Sequence, residues 1–132
     1  RKISYGVARI KKGLQKKLKL GNMKAKRDWG HAKDYVEDMW LMLQQKKPDD
    51  FVIGTGKEHS VEDFAKKAFA HVGLNYKNYV MSDKNLFRPA EVDTLLADSS
   101  KAKKILKWKP KISFDDLVAN MVDHDMEQIN NI

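Results

Sequence analysis

The chain has 132 residues, 42% of them apolar, and a formal net charge of +8 from 26 basic and 18 acidic side chains. That length and apolar content suit a single domain with a real core and exclude an intrinsically disordered chain. The absence of cysteine excludes disulfides and cysteine-held zinc or iron–sulfur centres and fits a reducing, cytoplasmic compartment. Ile3, Val7, Ile10 and Leu14 share one helical face, and Gly13 ends that first helix. Lys17-Leu18-Lys19-Leu20 alternates at period two, as in a half-buried strand, and Gly21-Asn22 turns the chain. A mixed-charge loop, Arg27 to His31, leads into a helix over Asp34 to Gln45 with Val36, Met39, Trp40 and Leu43 as its apolar stripe.

Phe51-Val52-Ile53 reads as a short buried strand entering the tight turn Gly54-Thr55-Gly56. Ser60, with Asp63 three residues on, caps a helix running from Val61 to about Val72. Asn78 to Met81 is a further small strand. Ser99-Ser100 starts a short helix over Lys101 to Lys107 that Pro110 stops, and Ser113 caps the last helix, Phe114 to about Gln128. The pattern is α/β and helix-rich, with few short strands. Three such strands barely make a sheet, so partner strands are expected elsewhere. Arg1 stands where an initiator Met would be, and the two observations together give the expectation of a longer parent protein.

No apolar run approaches the ~20 residues of a membrane span, so no membrane partner is expected. No His pair has the spacing of a helical zinc site, so no metal is expected. Gly54-Thr55-Gly56-Lys57 resembles the tail of a phosphate loop, but Glu58 stands where Ser or Thr should be, and a backbone turn is the better reading. No dinucleotide fingerprint GxGxxG occurs, and no Tyr is followed four residues later by Lys. Of the 26 basic residues only four are Arg: Arg1, Arg9, Arg27 and Arg88. Scattered lysines read as a solvated surface, whereas an arginine fork suits carboxylate or phosphate. Arg27-Asp28-Trp29-Gly30-His31 and Arg88-Pro89-Ala90-Glu91-Val92 therefore stand out. Two arginines could clamp a diphosphate and Glu91 could accept from ribose hydroxyls; an Arg–acid surface ion pair is the structural alternative.

KRDWGHAKDYV (Lys26 to Val36), FRPAEVDTLL (Phe87 to Leu96), Leu20-Gly21-Asn22, His59-Ser60-Val61 and Trp108-Lys109-Pro110, in this order, resemble the C-terminal part of the GDP-mannose 4,6-dehydratase family. That family lies in the extended short-chain dehydrogenase/reductase class, with a Rossmann-like parent fold. The resemblance implies that residues 1–132 are the C-terminal substrate-binding region and that the N-terminal dinucleotide-binding domain is absent. It implies NADP held by that missing domain, GDP-mannose as the ligand of the parent, a homo-oligomeric parent enzyme, a place in nucleotide-sugar metabolism, and no nucleic-acid partner. In the family reaction a hydride passes from C4 of the sugar to NADP, water leaves across C5 and C6, and the hydride returns to C6. No catalytic residue is expected in this chain, which alone should be inactive.

By the same resemblance, Lys2 and Asn22 lie along the nucleotide, Arg27 and Arg88 hold the diphosphate, and Glu91 binds the ribose. Trp29 and His31 serve as scaffold for Arg27. Lys107 stands where the family usually has Gly. Ile3, Val7, Val52 and Ile53 are candidates for an apolar patch facing the missing domain. The alternatives are another NAD(P)-dependent sugar-nucleotide epimerase or dehydratase, and a small basic nucleic-acid-binding module.

Overall fold

The first helical face closes as α1 (Lys2–Lys11) in a computed structural model that describes residues 1–130. Val7 and Ile10 are buried, but Leu14 lies beyond the helix end and is exposed. In β1 (Leu18–Leu20) the leucines are buried and Lys19 is exposed, as period two requires. β1 pairs in parallel with β4 (Val80–Ser82), Leu18 opposite Val80. α1, α3 (Val61–His71) and α5 (Phe114–Asn130) pack together on this ribbon. Val7, Ile10, Leu18, Leu20, Phe64, Phe69, Val118 and Val122 fill the space between them.

Ser60 fixes the start of α3. Its hydroxyl accepts from the Asp63 N–H at 3.0 Å, and Asp63 Oδ2 accepts from the Ser60 N–H at 3.0 Å. The Ser60 hydroxyl and N–H hold the Asp63 carboxyl below its ordinary range. A lowered folded-state value stabilises above the unfolded carboxyl value and loses that contribution as pH falls through the folded one. Ser60→Ala is therefore expected to cost about 1 kcal/mol in urea unfolding at neutral pH. The penalty should shrink in acid.

A second, three-stranded sheet was not legible in the sequence. β2 (Lys26–Arg27) is its centre, antiparallel to β3 (His59–Ser60) and parallel to β5 (Thr94–Leu95). Strands of two residues are too short to show alternation. Conversely, Phe51 to Ile53 forms no strand: Val52 is exposed, while Phe51 and Ile53 lean on Ala102, Leu106 and Trp108. Arg27 accordingly sits in a strand, where a loop was expected.

α2 (Ala32–Leu43) overturns the reading of its own stripe. Val36, Met39, Trp40 and Leu43 are each at least 60% exposed, and the buried residues are Asp34 and Asp38. Asp34 explains this orientation. Its Oδ2 accepts from the N–H groups of Lys111 and Ile112, both at 3.0 Å, and its carbonyl accepts from Trp108 Nε1 at 2.9 Å. The segment from Trp108 to Ile112 is thereby fastened to the Asp34 side of α2, where Tyr35, Leu41 and Met42 also pack, and the predicted stripe faces outward. The expected patch of Ile3, Val7, Val52 and Ile53 is also corrected: Val7 is fully buried, Ile3 packs against the core, and Val52 alone is exposed.

α4 (Ser100–Ile105) starts without a Ser99 side-chain cap, because the buried Ser99 hydroxyl donates to the Gly54 carbonyl at 3.0 Å. Just past its end Lys107 adopts φ 56°, the left-handed conformation that favours glycine. Lys107→Gly is expected to stabilise the chain by about 0.5–1 kcal/mol, the side-chain strain relieved outweighing the added freedom of the unfolded glycine. A thermal melt of the variant checks it.

Candidate functional site

Lys2, Asn22, Arg27, Arg88 and Glu91 line one cleft of about 310 Å³, together with Leu20, Gly21, Ala25, Val61 and Leu86. They come from several elements far apart in the chain. Lys2 opens α1, Asn22 follows β1, Arg27 lies in β2, and Val61 begins α3. Leu86 closes a 3-10 turn (Lys84–Leu86), and Arg88 and Glu91 belong to the loop after it. Gly21 makes the wall possible. A Cβ there would lie 2.5 Å from the Leu86 carbonyl oxygen, so any other residue would push the turn away from β1.

The two arginines are held differently. Arg27 Nη1 donates to the carbonyls of Lys26 at 2.6 Å and Val92 at 2.8 Å, and Nη2 donates to Glu91 Oε1 at 3.2 Å, 64 positions away. Both partners of that ion pair are half-buried. Of five guanidinium N–H groups, this leaves Arg27 its Nε–H and one Nη2–H. Arg88 is exposed and has no hydrogen bond or ion pair with another described residue. The Arg–acid pair offered as a structural alternative thus exists for Arg27 and leaves Arg88 free. Asn22 Oδ1 accepts from the Lys24 N–H at 3.0 Å, which leaves its amide as a donor. Three cations against one carboxylate give the cleft an excess of positive charge.

The backbone around Arg27 is set by residues with no expected ligand role. Trp29 packs edge-on to Phe64 and stacked over Phe114, with centroids 5.4 Å and 6.0 Å away. His31 caps α2, its Nδ1 accepting from the Lys33 N–H at 3.1 Å. Lys26, pointing the other way along β2, pairs with Glu58 at 3.2 Å. The sequence singled out Asp28 beside Arg27 but gave it no role of its own. Its Oδ1 accepts from the Thr55 N–H at 2.9 Å and the Thr55 hydroxyl at 2.5 Å. Its Oδ2 accepts from the N–H groups of Gly56 at 2.8 Å and Ala97 at 3.4 Å. The signal was the pairing of a lone loop Asp with a Gly-rich turn that lacked a phosphate-loop pattern.

The family model for GDP-mannose 4,6 dehydratase matches residues 1–121. The chain belongs to the GDP-mannose 4,6 dehydratase family. GDP-mannose 4,6 dehydratase 2 of Arabidopsis thaliana is 58% identical over 127 residues, covering 96% of this chain and 34% of the relative. The Homo sapiens GDP-mannose 4,6 dehydratase is 49% identical over 144 residues, covering 96% and 39%. The chain therefore spans between a third and two fifths of these curated relatives. Among solved structures, RMD of Pseudomonas aeruginosa complexed with NADPH superposes with a TM-score of 0.85 at 17% identity, covering 96% of this chain and 41% of that one. The dTDP-glucose 4,6-dehydratase of Bacillus anthracis in complex with NAD gives 0.80 at 21%, covering 99% and 40%. These likenesses establish the fold, the helix-rich α/β arrangement that the chain shares with a portion of each of those enzymes.

The 54–56 turn does not fit the phosphate of a dinucleotide. The turn N–H groups of Thr55 and Gly56, which could otherwise cradle a phosphate, are filled by the Asp28 carboxylate. Among the described residues no group of three or more His, Cys, Asp or Glu could hold a metal ion, and no helix is long and apolar enough to cross a membrane.

Proposed function

We propose that this chain is the substrate-binding region of a GDP-mannose 4,6-dehydratase and that its cleft takes the GDP end of GDP-mannose. The observation that carries the reading is convergence: Lys2, Asn22, Arg27, Arg88 and Glu91, scattered over the first two thirds of the chain, line one cationic cleft. Arg88 offers a full, unengaged fork to the diphosphate. Arg27 contributes its two remaining N–H groups from a position already locked by Glu91 and Val92. Glu91 Oε1 is held by Arg27, which leaves Oε2 as an acceptor for the ribose hydroxyls. The Asn22 amide and Lys2 ammonium supply donors farther along the nucleotide.

The contribution of this region to the reaction is positioning: remote binding energy from the nucleotide orients a sugar whose chemistry occurs elsewhere. NADP and the acid–base residues belong, in this reading, to the dinucleotide-binding portion that the longer relatives carry. The outward stripe of α2 (Val36, Met39, Trp40 and Leu43) is an apolar face of the kind that such a portion covers. Incubation of the chain alone with GDP-mannose and NADP should yield no 4-keto-6-deoxy sugar. Joining it to the preceding portion of the Arabidopsis relative should restore product. Product from the chain alone, or a joined protein that binds UDP- or dTDP-sugars in preference to GDP-sugars, would overturn the reading.

A further inference from the structure

Asp28 stands next to Arg27 and has no capacity left for a ligand. Its two oxygens accept four hydrogen bonds, from Thr55 N–H, Thr55 Oγ1, Gly56 N–H and Ala97 N–H. Four acceptances saturate a carboxylate. Its backbone N–H donates to the Leu95 carbonyl at 3.0 Å. One residue thus fastens three segments: the end of β2, the 54–56 turn, and the exit of β5.

Those segments hold the loop that carries Arg88 and Glu91. β5 is two residues long and exposed, so its pairing with β2 alone is a weak tether. The additional ties lie on either side of it. On the near side Arg27 holds Glu91 and the Val92 carbonyl. On the far side Asp28 holds Ala97, and the buried Ser99 hydroxyl holds the Gly54 carbonyl. Gly54 is needed for this approach, since a Cβ there would lie 2.3 Å from the Ala97 Cβ and 2.9 Å from Asp28 Oδ2.

We infer that Asp28 is a positioning residue for the nucleotide cleft: its carboxylate takes the place of an anion in the 54–56 turn, clamps Ala97 beside it, and so fixes the Arg88–Glu91 loop opposite Arg27. The inference rests on the proposed GDP site and adds a residue that touches no ligand. Asn at this position keeps the volume but turns an NH₂ donor toward N–H donors, so the clamp loses both charge and geometry.

The test is Asp28→Asn in the full-length enzyme containing this region, with KM and kcat for GDP-mannose measured beside GDP affinity by calorimetry. The clamp predicts a GDP affinity and a KM each worse by about tenfold, the loss typical of one charge-assisted hydrogen bond, with kcat changed less than about threefold. A merely structural defect lowers the active fraction, so apparent kcat falls at unchanged KM, and that result overturns the inference. If Asp28→Asn does not fold, Thr55→Val removes one donor to the same carboxylate and is expected to raise KM about two- to fivefold. An unchanged KM there also overturns it. Arg88→Ala separates the two levels of the argument. Normal GDP affinity in Arg88→Ala removes the GDP site and the clamp with it, whereas a loss in Arg88→Ala but not in Asp28→Asn removes the clamp alone.

Discussion

Asp38→Ala is expected to make the folded chain more stable at pH 7 by about 1–3 kcal/mol, the usual penalty of a buried unsatisfied polar group. Asp38 is fully buried in α2, and neither carboxylate oxygen has a hydrogen-bond partner among the described residues. Burial pushes its carboxyl above the ordinary value. A raised folded-state carboxyl makes the unfolded chain ionise first, so stability falls as pH rises from the unfolded value, ~3.9, to the folded one. The advantage of the variant should therefore be small in acid, grow through that window, and hold at neutral pH. Alanine adds helix propensity at the same position. Urea unfolding of both proteins across pH measures it. A variant less stable than the parent at neutral pH, or an advantage independent of pH, would contradict the assignment of Asp38 as an unpaired buried acid.

Arg88→Ala is expected to weaken GDP binding by about 1.5–3 kcal/mol, or roughly 10- to 100-fold, the range of charge-assisted hydrogen bonds. Stability should hold within about 0.5 kcal/mol, because an exposed side chain with no partner contributes little to folding. Arg27→Ala differs in kind. It removes the half-buried pair with Glu91 and two carbonyl contacts as well, so affinity and stability should fall together. Arg88→Lys should recover part of the affinity, since a point charge supplies attraction without the planar fork. Binding that is indifferent to Arg88 but lost with Arg27 would mean that the diphosphate does not lie between them.

The parts of this fold that were legible share a physical reason. α1, α3 and α5 have long apolar faces and side-chain caps at Ser60 and Ser113, and β1 alternates at period two against a core. What was not legible depends on partners far away in the chain. β2, β3 and β5 are pairs of residues that exist only because three distant segments meet. The outward stripe of α2 follows from Asp34 holding Lys111 and Ile112, which no local period records. At the site, the two arginine segments stood out for their fork chemistry, and the ligand roles of Lys2, Asn22, Arg27, Arg88 and Glu91 came from the family resemblance. The role of Asp28 was missed because its partners, the N–H groups of Thr55, Gly56 and Ala97, lie 27 to 69 positions away in the chain.

The central claim is that the cleft between β1, β2 and the Arg88–Glu91 loop binds the GDP end of a nucleotide sugar. It is tested most directly by titrating GDP into the isotopically labelled chain and mapping the amide shifts by NMR. Saturable shifts are predicted at Gly21, Asn22, Arg27, Arg88 and Glu91, weaker with UDP and lost in Arg88→Ala. Shifts confined to other surfaces, or a titration in which those five amides stay still, would contradict it.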